Sequence, residues 1–320
     1  MSDSANSKPT SPIERVAVIG TGLIGAGWAT VFLANGLDVL AIDPAPGARD
    51  RLLATVSAMW PALVELGRAT GEPDFARLAF AETPGPELAD VRLVQENAPE
   101  KLDLKRGLFA AIERFVAPDT ILASSTSALL IGDIQTACAI PKRCVAAHPF
   151  NPPHLLPLVE VSGGTLTDPA VLDRAMAFYT FLGKSPVLLQ KEIQGHIAGR
   201  LGAALYREAV HLVAEGVATV EDIDAAVRNG PGLRWAINGP HMIYHLGGGE
   251  GGIRHYLDHL GDSQQRRWDD LGKPVLTAEL KESLIAGTLA EAEGASVGDL
   301  SEERDRKLIQ LLAAFHGKAG

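Results

Sequence analysis

Short, almost unbroken apolar runs recur along the first 190 residues, with longer segments of helical period between them. The runs occupy residues 16–19, 39–42, 78–80, 91–94, 121–123, 143–147, 158–161 and 187–189. Runs this short and this apolar read as strands covered on both faces of a sheet. Between them, Leu52, Leu53, Val56, Met59, Trp60, Leu63 and Val64 fall on one side of a 3.6-residue period, and Pro61 is expected to bend or end that helix. Further helices are predicted over 103–115 and 169–182. Strands alternating with helices predict an α/β fold with a doubly wound, mostly parallel sheet.

From Lys191 the strand runs cease. Ile197, Leu201, Leu205, Ala209, Leu212 and Val213 predict the buried stripe of a helix reaching about Glu215, and 219–222 starts the next helix like a capping box. Residues 230–236 and 238–240 interrupt the helical pattern, and the glycines of 247–252 read as a loop. The expected organisation is a disordered tail at 1–12, an α/β domain at 13–190 and an all-helical domain at 191–320.

The first strand runs into Gly20, Gly22 and Gly25, spaced G-x-G-x-x-G, and a helix follows. Gly20 permits the tight turn, Gly22 leaves room for a pyrophosphate, and Gly25 lets helix and strand pack closely. The helix start at Leu23 and Ile24 offers unpaired N–H groups to phosphate oxygens. Gly36 is a helix C-cap, and the next strand ends on Asp43, placed to accept from a ribose 2′-hydroxyl. This is a dinucleotide site. The charge of Asp43 repels a 2′-phosphate and favours NAD over NADP; Arg49 and Arg51 read as solvated helix residues. A membrane or signal segment is the competing reading of 16–34, which carries no charge. Its four glycines and two threonines, and the strand-like run after Asp38, argue against it.

Composition narrows the class further. A 46% hydrophobic and 21% charged chain is ordinary for a globular protein. A net charge of −10 gives no basic field for nucleic acid or an anionic membrane. Cys138 and Cys144 form neither a disulfide framework nor a metal-ligand spacing, and read as core residues. The cytoplasm is the default location.

Polar groups cluster at the ends of the later strands: residues 124–127, then His148, then Glu160. Alone, a His before a Pro is a turn residue and a strand-end Glu is solvated. Together, above a dinucleotide site, they suit alcohol oxidation. Histidine takes the hydroxyl proton, a carboxylate steadies the imidazolium, and Ser127 supplies a donor to the oxygen.

These segments, with Gln-Glu-Asn-Ala-Pro-Glu at 95–100, resemble the 3-hydroxyacyl-CoA dehydrogenase family over about 15–268. The resemblance implies that His148 is the acid/base, that Glu160 pairs with it, and that Ser127 bonds the reacting oxygen. It implies cofactor contacts from Asn97, Glu100, Lys105, Ser127 and Asn151 beside the glycine loop, and a homodimer formed through the helical domain. Where the family carries G-F-x-x-N-R, this chain has Gly195-His196-Ile197-Ala198-Gly199-Arg200. Gly199 replaces the substrate-placing Asn and His196 the aromatic.

Residues 230–236 resemble the G-x-G-x-R-[WY]-A segment of the branch that holds L-carnitine dehydrogenase and lambda-crystallin (L-gulonate 3-dehydrogenase). That likeness implies a free hydroxy acid as substrate. Arg234 would bind its carboxylate bidentately, Trp235 and Tyr244 would face a trimethylammonium, and Glu250 would add charge. Otherwise Arg234 pairs with a carboxylate of its own chain and Trp235 packs at an interface. The expected function is NAD-dependent interconversion of a small L-3-hydroxy acid, carnitine first, with its 3-oxo form. The alternatives are an L-3-hydroxyacyl-CoA dehydrogenase, with Arg200, Arg207 and Arg228 as candidates for CoA phosphates, or a catalytically idle crystallin-like protein. A decarboxylating or UDP-sugar dehydrogenase would need a Lys or Cys within 195–216, and there is none.

Overall fold

The computed structural model describes residues 13–316; the expected N-terminal tail lies outside them. Eight strands form one sheet in the order β3-β2-β1-β4-β5-β6-β7-β8. They are β1 (Arg15–Ile19), β2 (Asp38–Ile42), β3 (Leu78–Ala81), β4 (Leu93–Glu96), β5 (Ile121–Ser124), β6 (Cys144–Pro149), β7 (Leu158–Gly163) and β8 (Ser185–Leu188). Neighbours run parallel throughout except β6 and β7, which are antiparallel. The first six strands follow the doubly wound order, whose ligand crevice opens where the order reverses, between β1 and β4. All eight expected runs are strands. β4 begins two residues later than expected, and β6 extends far enough to include His148.

Helices α1 (Leu23–Ala34), α2 (Ala48–Glu65), α3 (Leu102–Ile112), α4 (Ile131–Gln135) and α5 (Pro169–Phe181) cover the two faces. Nine consecutive residues of α1, Gly25 to Leu33, are buried, which explains why its sequence carries no polar stripe. One core layer gathers Val16, Val18, Trp28, Phe32, Val145, Val159 and Tyr179; the other gathers Ala17, Leu40, Phe109, Leu122 and Ile134. Pro61 does not end α2, which continues to Glu65. Pro61 and Ser57, whose carbonyl loses its helical partner, both face solvent, while Val56, Trp60 and Leu63 stay buried. Cys144 is fully buried and Cys138 half-buried, with their thiols 3.6 Å apart.

The helical part comprises α6 (Ala198–Ala214), α7 (Val220–Asn229), α8 (Pro231–Trp235), α9 (Pro240–Gly247), α10 (Gly252–Asp270), α11 (Ala278–Glu291) and α12 (Val297–His316). The segment expected to interrupt the helices at 230–236 is itself the short helix α8, with Pro231 at its first position, where its missing N–H is not needed. Contacts divide the chain into two units, 200–303 and the remainder. The end of α12 belongs with the α/β unit, where Ile309 and Leu312 pack against Leu155, Ala62 and Leu66. In the helical unit the expected buried stripe of α6 is exposed at Leu201 and Leu205, and only Val210 on that helix is buried. No helix among the described residues is long and apolar enough to cross a membrane.

Candidate active site

The glycine loop is built as its spacing requires. Gly20 has φ +81°, and a side chain there would meet the backbone of Asn97 at 3.0 Å. A Cβ on Gly25 would lie 1.9 Å from the Gly20 carbonyl oxygen, so only glycine allows α1 to start so close to β1. A Cβ on Gly22 would meet nothing within 4 Å. That open side adjoins the first turn of α1, which no side chain caps. The N–H groups of Leu23 and Ile24, in that first turn, precede the first i→i−4 bond, which Ala26 makes to Gly22. An open glycine beside an uncapped helix N-terminus suits a pyrophosphate.

Asp43 closes the far side of this crevice. Its carboxylate accepts from the Thr21 N–H at 2.8 Å, the Thr21 hydroxyl at 2.9 Å and the Ala45 N–H at 2.9 Å. Partial burial would raise its pKa, but these bonds and nearby Arg51 outweigh burial and hold it below the usual value. A permanent negative charge therefore stands at the end of β2, where a ribose would sit. The Arg51 guanidinium is turned to the Pro46 carbonyl, 2.7 Å away.

Across the crevice, β4 and β5 deliver a buried polar cluster. Glu96 is 0% and Lys105 1% exposed, and their charged ends are 2.8 Å apart. Glu96 also accepts from the Ser124 hydroxyl at 2.6 Å and the Ala98 N–H at 2.6 Å. The Lys105 ammonium is further held by the Ala98 carbonyl at 3.0 Å and by Glu100 at 3.4 Å. Lys105, expected at the cofactor, therefore lies beneath the 97–100 loop with its donors engaged inside the protein. Glu100 gathers the next loop: one oxygen accepts from the Thr126 hydroxyl at 2.5 Å and from the N–H groups of Ser127 and Ala128, each at 2.9 Å. Burial works to raise the Glu100 pKa, and these donors together with Lys105 bring it below its ordinary value. Asn97 bonds back to the Gln95 carbonyl at 2.9 Å and accepts from the Ser125 hydroxyl at 2.7 Å. Ser127 and Asn151 are exposed at the rim.

The antiparallel turn of β7 sets His148 and Glu160 directly opposite each other in register. Glu160 thus stands inside a strand and not near its end, as the sequence reading expected. Facing side chains in such a pair lie close enough to bond, and His148 Nδ1 is 3.0 Å from Glu160 Oε2. The second Glu160 oxygen accepts from the N–H groups of Ile197 and Ala198, each at 2.8 Å, at the start of α6. Burial opposes ionisation, but His148 and the two N–H donors keep Glu160 below the usual carboxylate pKa. A carboxylate fixed at both oxygens determines the His148 tautomer: Nδ1 carries the proton toward Glu160, leaving Nε2 to exchange one.

Other site residues were not evident from sequence. Gln95, Ser125 and Trp28 form a buried network in which the Gln95 amide donates to the Ser125 hydroxyl at 2.8 Å, and the Tyr179 hydroxyl donates to Gln95 at 2.6 Å. The one available signal was the polar pair Gln95 and Glu96 at the end of an apolar run, since buried polar and charged groups need partners. Arg234 and Trp235 lie on α8 and Tyr244 on α9, all three exposed, with the Tyr244 ring 4.9 Å from Tyr256. Arg234 has no ion pair or hydrogen bond from its side chain among the described residues.

Comparison with known proteins places this geometry. Residues 15–193 match the NAD binding domain of 3-hydroxyacyl-CoA dehydrogenase, and 195–283 match its C-terminal domain. The L-carnitine dehydrogenase of Streptomyces griseus is 50% identical over 308 residues, covering 96% of this chain and 92% of that protein. That of Streptomyces coelicolor is 48% identical over 95% of this chain and 96% of its own length. Among solved structures, the NAD+-dependent dismutase 5-formyl-3-hydroxy-2-methylpyridine 4-carboxylic acid 5-dehydrogenase superposes with a TM-score of 0.82 at 29% identity, covering 96% of this chain and 99% of that one. With its glycine loop, Asp43 and two matched domains, the chain belongs to the 3-hydroxyacyl-CoA dehydrogenase family and is an NAD-dependent 3-hydroxy acid dehydrogenase.

Proposed function

We propose that this enzyme interconverts L-carnitine, or a closely similar small L-3-hydroxy acid, with its 3-oxo form. The observation that carries the chemistry is the 3.0 Å contact between His148 and a doubly held Glu160. His148 Nε2 takes the 3-hydroxyl proton as the carbonyl forms, and Glu160 stabilises the resulting imidazolium. Ser127, exposed at the end of β5, donates to the substrate oxygen. NAD, when bound, accepts the hydride. The glycine loop and Asp43 hold and orient it.

The substrate class rests on the L-carnitine dehydrogenases that align along almost the whole chain, and on Arg234, Trp235 and Tyr244. An exposed guanidinium with no carboxylate of its own suits a substrate carboxylate, and exposed aromatic rings suit a quaternary ammonium. Gly199 cannot make the side-chain bond that the acyl-CoA members use, which also favours a free acid. The test is NADH oxidation by the purified protein with dehydrocarnitine against acetoacetyl-CoA. A higher kcat/KM for dehydrocarnitine is expected; preference for the thioester would assign the enzyme to acyl-CoA chemistry and leave Arg234 a surface residue.

The same reading includes a homodimer formed through the helical unit. Within 200–303 only Val210 and Ile223 are buried apolar side chains, whereas Leu201, Leu205, Tyr206, Leu257, Leu260 and Trp268 are exposed. About a hundred residues with so little core of their own need further apolar burial, and a second copy of the same face supplies it. Sedimentation should give twice the 33.8 kDa chain mass; a monomer at micromolar concentration would refute this.

A further inference from the structure

His196 occupies the position at which the family motif carries an aromatic residue, just before α6. It is 3% exposed, and its backbone has φ 49°. A non-glycine residue persists in that left-handed region where its surroundings fix it. Three contacts do so. The ring stacks on His148, with centroids 4.9 Å apart and planes 17° from parallel. Nε2 lies 2.9 Å from the Thr126 carbonyl oxygen, and because a carbonyl only accepts, Nε2 carries the proton. The N–H groups of the next two residues, Ile197 and Ala198, are those that hold Glu160.

The tautomer follows from these contacts. With the proton on Nε2, Nδ1 is bare, buried and without a hydrogen-bond partner among the described residues. A second proton on Nδ1 would have no acceptor and would place a charge against His148. Burial lowers the His196 pKa, as does His148, against the opposing pull of the Thr126 bond, Glu160 and Glu100. His196 is thus a neutral ring next to the residue that must gain and lose a proton.

We propose that His196 is a positioning residue for the hydride-transfer step. Its stacked imidazole fixes the plane of the His148 ring, and its bond to Thr126 ties that ring to the strand end that presents Ser127. The base comes from β6 and the oxygen donor from the segment that follows β5, and the His196 side chain contacts His148 and the Thr126 carbonyl beside Ser127. This rests on the reading of His148 as the acid/base. It goes further in assigning a function to a residue that touches neither substrate nor cofactor in that reading.

Two substitutions separate the two contacts. His196→Phe keeps a ring for stacking and removes the donor to Thr126; His196→Asn tolerates the left-handed backbone and removes the ring. The measurement is the rate of NADH disappearance in a single turnover, with enzyme in excess over whichever of dehydrocarnitine and acetoacetyl-CoA the wild type reduces faster. Misplacing a reacting group by a fraction of an ångström to one ångström costs about ten- to a hundredfold. Both variants should therefore slow that rate at least about tenfold, with the NADH dissociation constant and the number of NADH-binding sites per chain unchanged. A purely structural role would reduce the number of NADH-binding sites, through loss of folded enzyme, and leave the rate of the remainder at the wild-type value. That result, or a rate within about twofold of wild type in both variants, overturns the proposal. His148→Ala, run beside them, distinguishes the two failures: if it retains turnover the acid/base reading is wrong, and if it is inactive while the His196 variants are fast only the positioning role is wrong.

Discussion

His148→Ala is expected to slow substrate oxidation and the reverse reaction about a thousandfold while leaving NADH binding intact. A positioned general acid/base contributes about 10²–10⁴ in rate. Here the imidazole is also the group whose tautomer Glu160 sets, so no neighbouring side chain can substitute. In the proposed reading the cofactor is held elsewhere, by the first turn of α1, the open face of Gly22 and the carboxylate of Asp43, none of which His148 touches. Removing the ring leaves Glu160 bonded to Ile197 and Ala198, so the start of α6 stays anchored. Steady-state NADH oxidation gives the loss, and fluorescence titration with NADH gives the binding. Turnover within about tenfold of wild type would remove His148 from the proton-transfer role.

Lys105→Met should cost more stability than any other single change near the site. It would leave Glu96 charged in a place with 0% exposure, with the Ser124 hydroxyl and Ala98 N–H as its remaining partners. Breaking one side of a buried ion pair costs about 3–5 kcal/mol, which lowers the melting temperature by roughly 10 °C in a chain this size. Changing both partners removes the stranded charge. Glu96→Gln combined with Lys105→Met is therefore expected to be more stable than Lys105→Met alone, a non-additivity characteristic of residues in contact. Thermal unfolding of the three variants at neutral pH measures this. If Lys105→Met instead unfolds like wild type and only weakens NADH binding, Lys105 is a cofactor ligand after all and the buried pair contributes little.

The two predictions also mark how far the sequence could be read. The glycine loop, its helix and Asp43 were legible because each depends on neighbours within about thirty residues and on rules of backbone space that any chain obeys. The strand runs were legible for the same reason, and their alternation with helices gave the sheet class. His148 and Glu160 were legible as residue types suited to the chemistry, and their pairing was expected from the family resemblance, but the geometry of that pairing was not legible. It depends on β7 turning back antiparallel, which no periodicity announces. Lys105 read as a cofactor contact, on the family resemblance alone, because sequence carries no record of depth. Only the packing of α3 against β4 brings its ammonium onto Glu96.

By itself the sequence determined the α/β class, the dinucleotide site, the sign of charge at its ribose end and the types of residue available for proton transfer. The tertiary structure decided which of those residues meet. It set Glu160 across from His148, placed His196 flat against that ring, and brought the end of α12 back to Leu155. It also left Ile197, Leu201 and Leu205, the first half of the α6 stripe, exposed, where the 3.6-residue period predicted burial. The physical reason is the range of the interactions. Turns, caps and strand propensities act along the chain and are recorded in its order, whereas burial, cross-strand pairing and ring stacking join residues tens to hundreds of positions apart and exist only once the chain has folded.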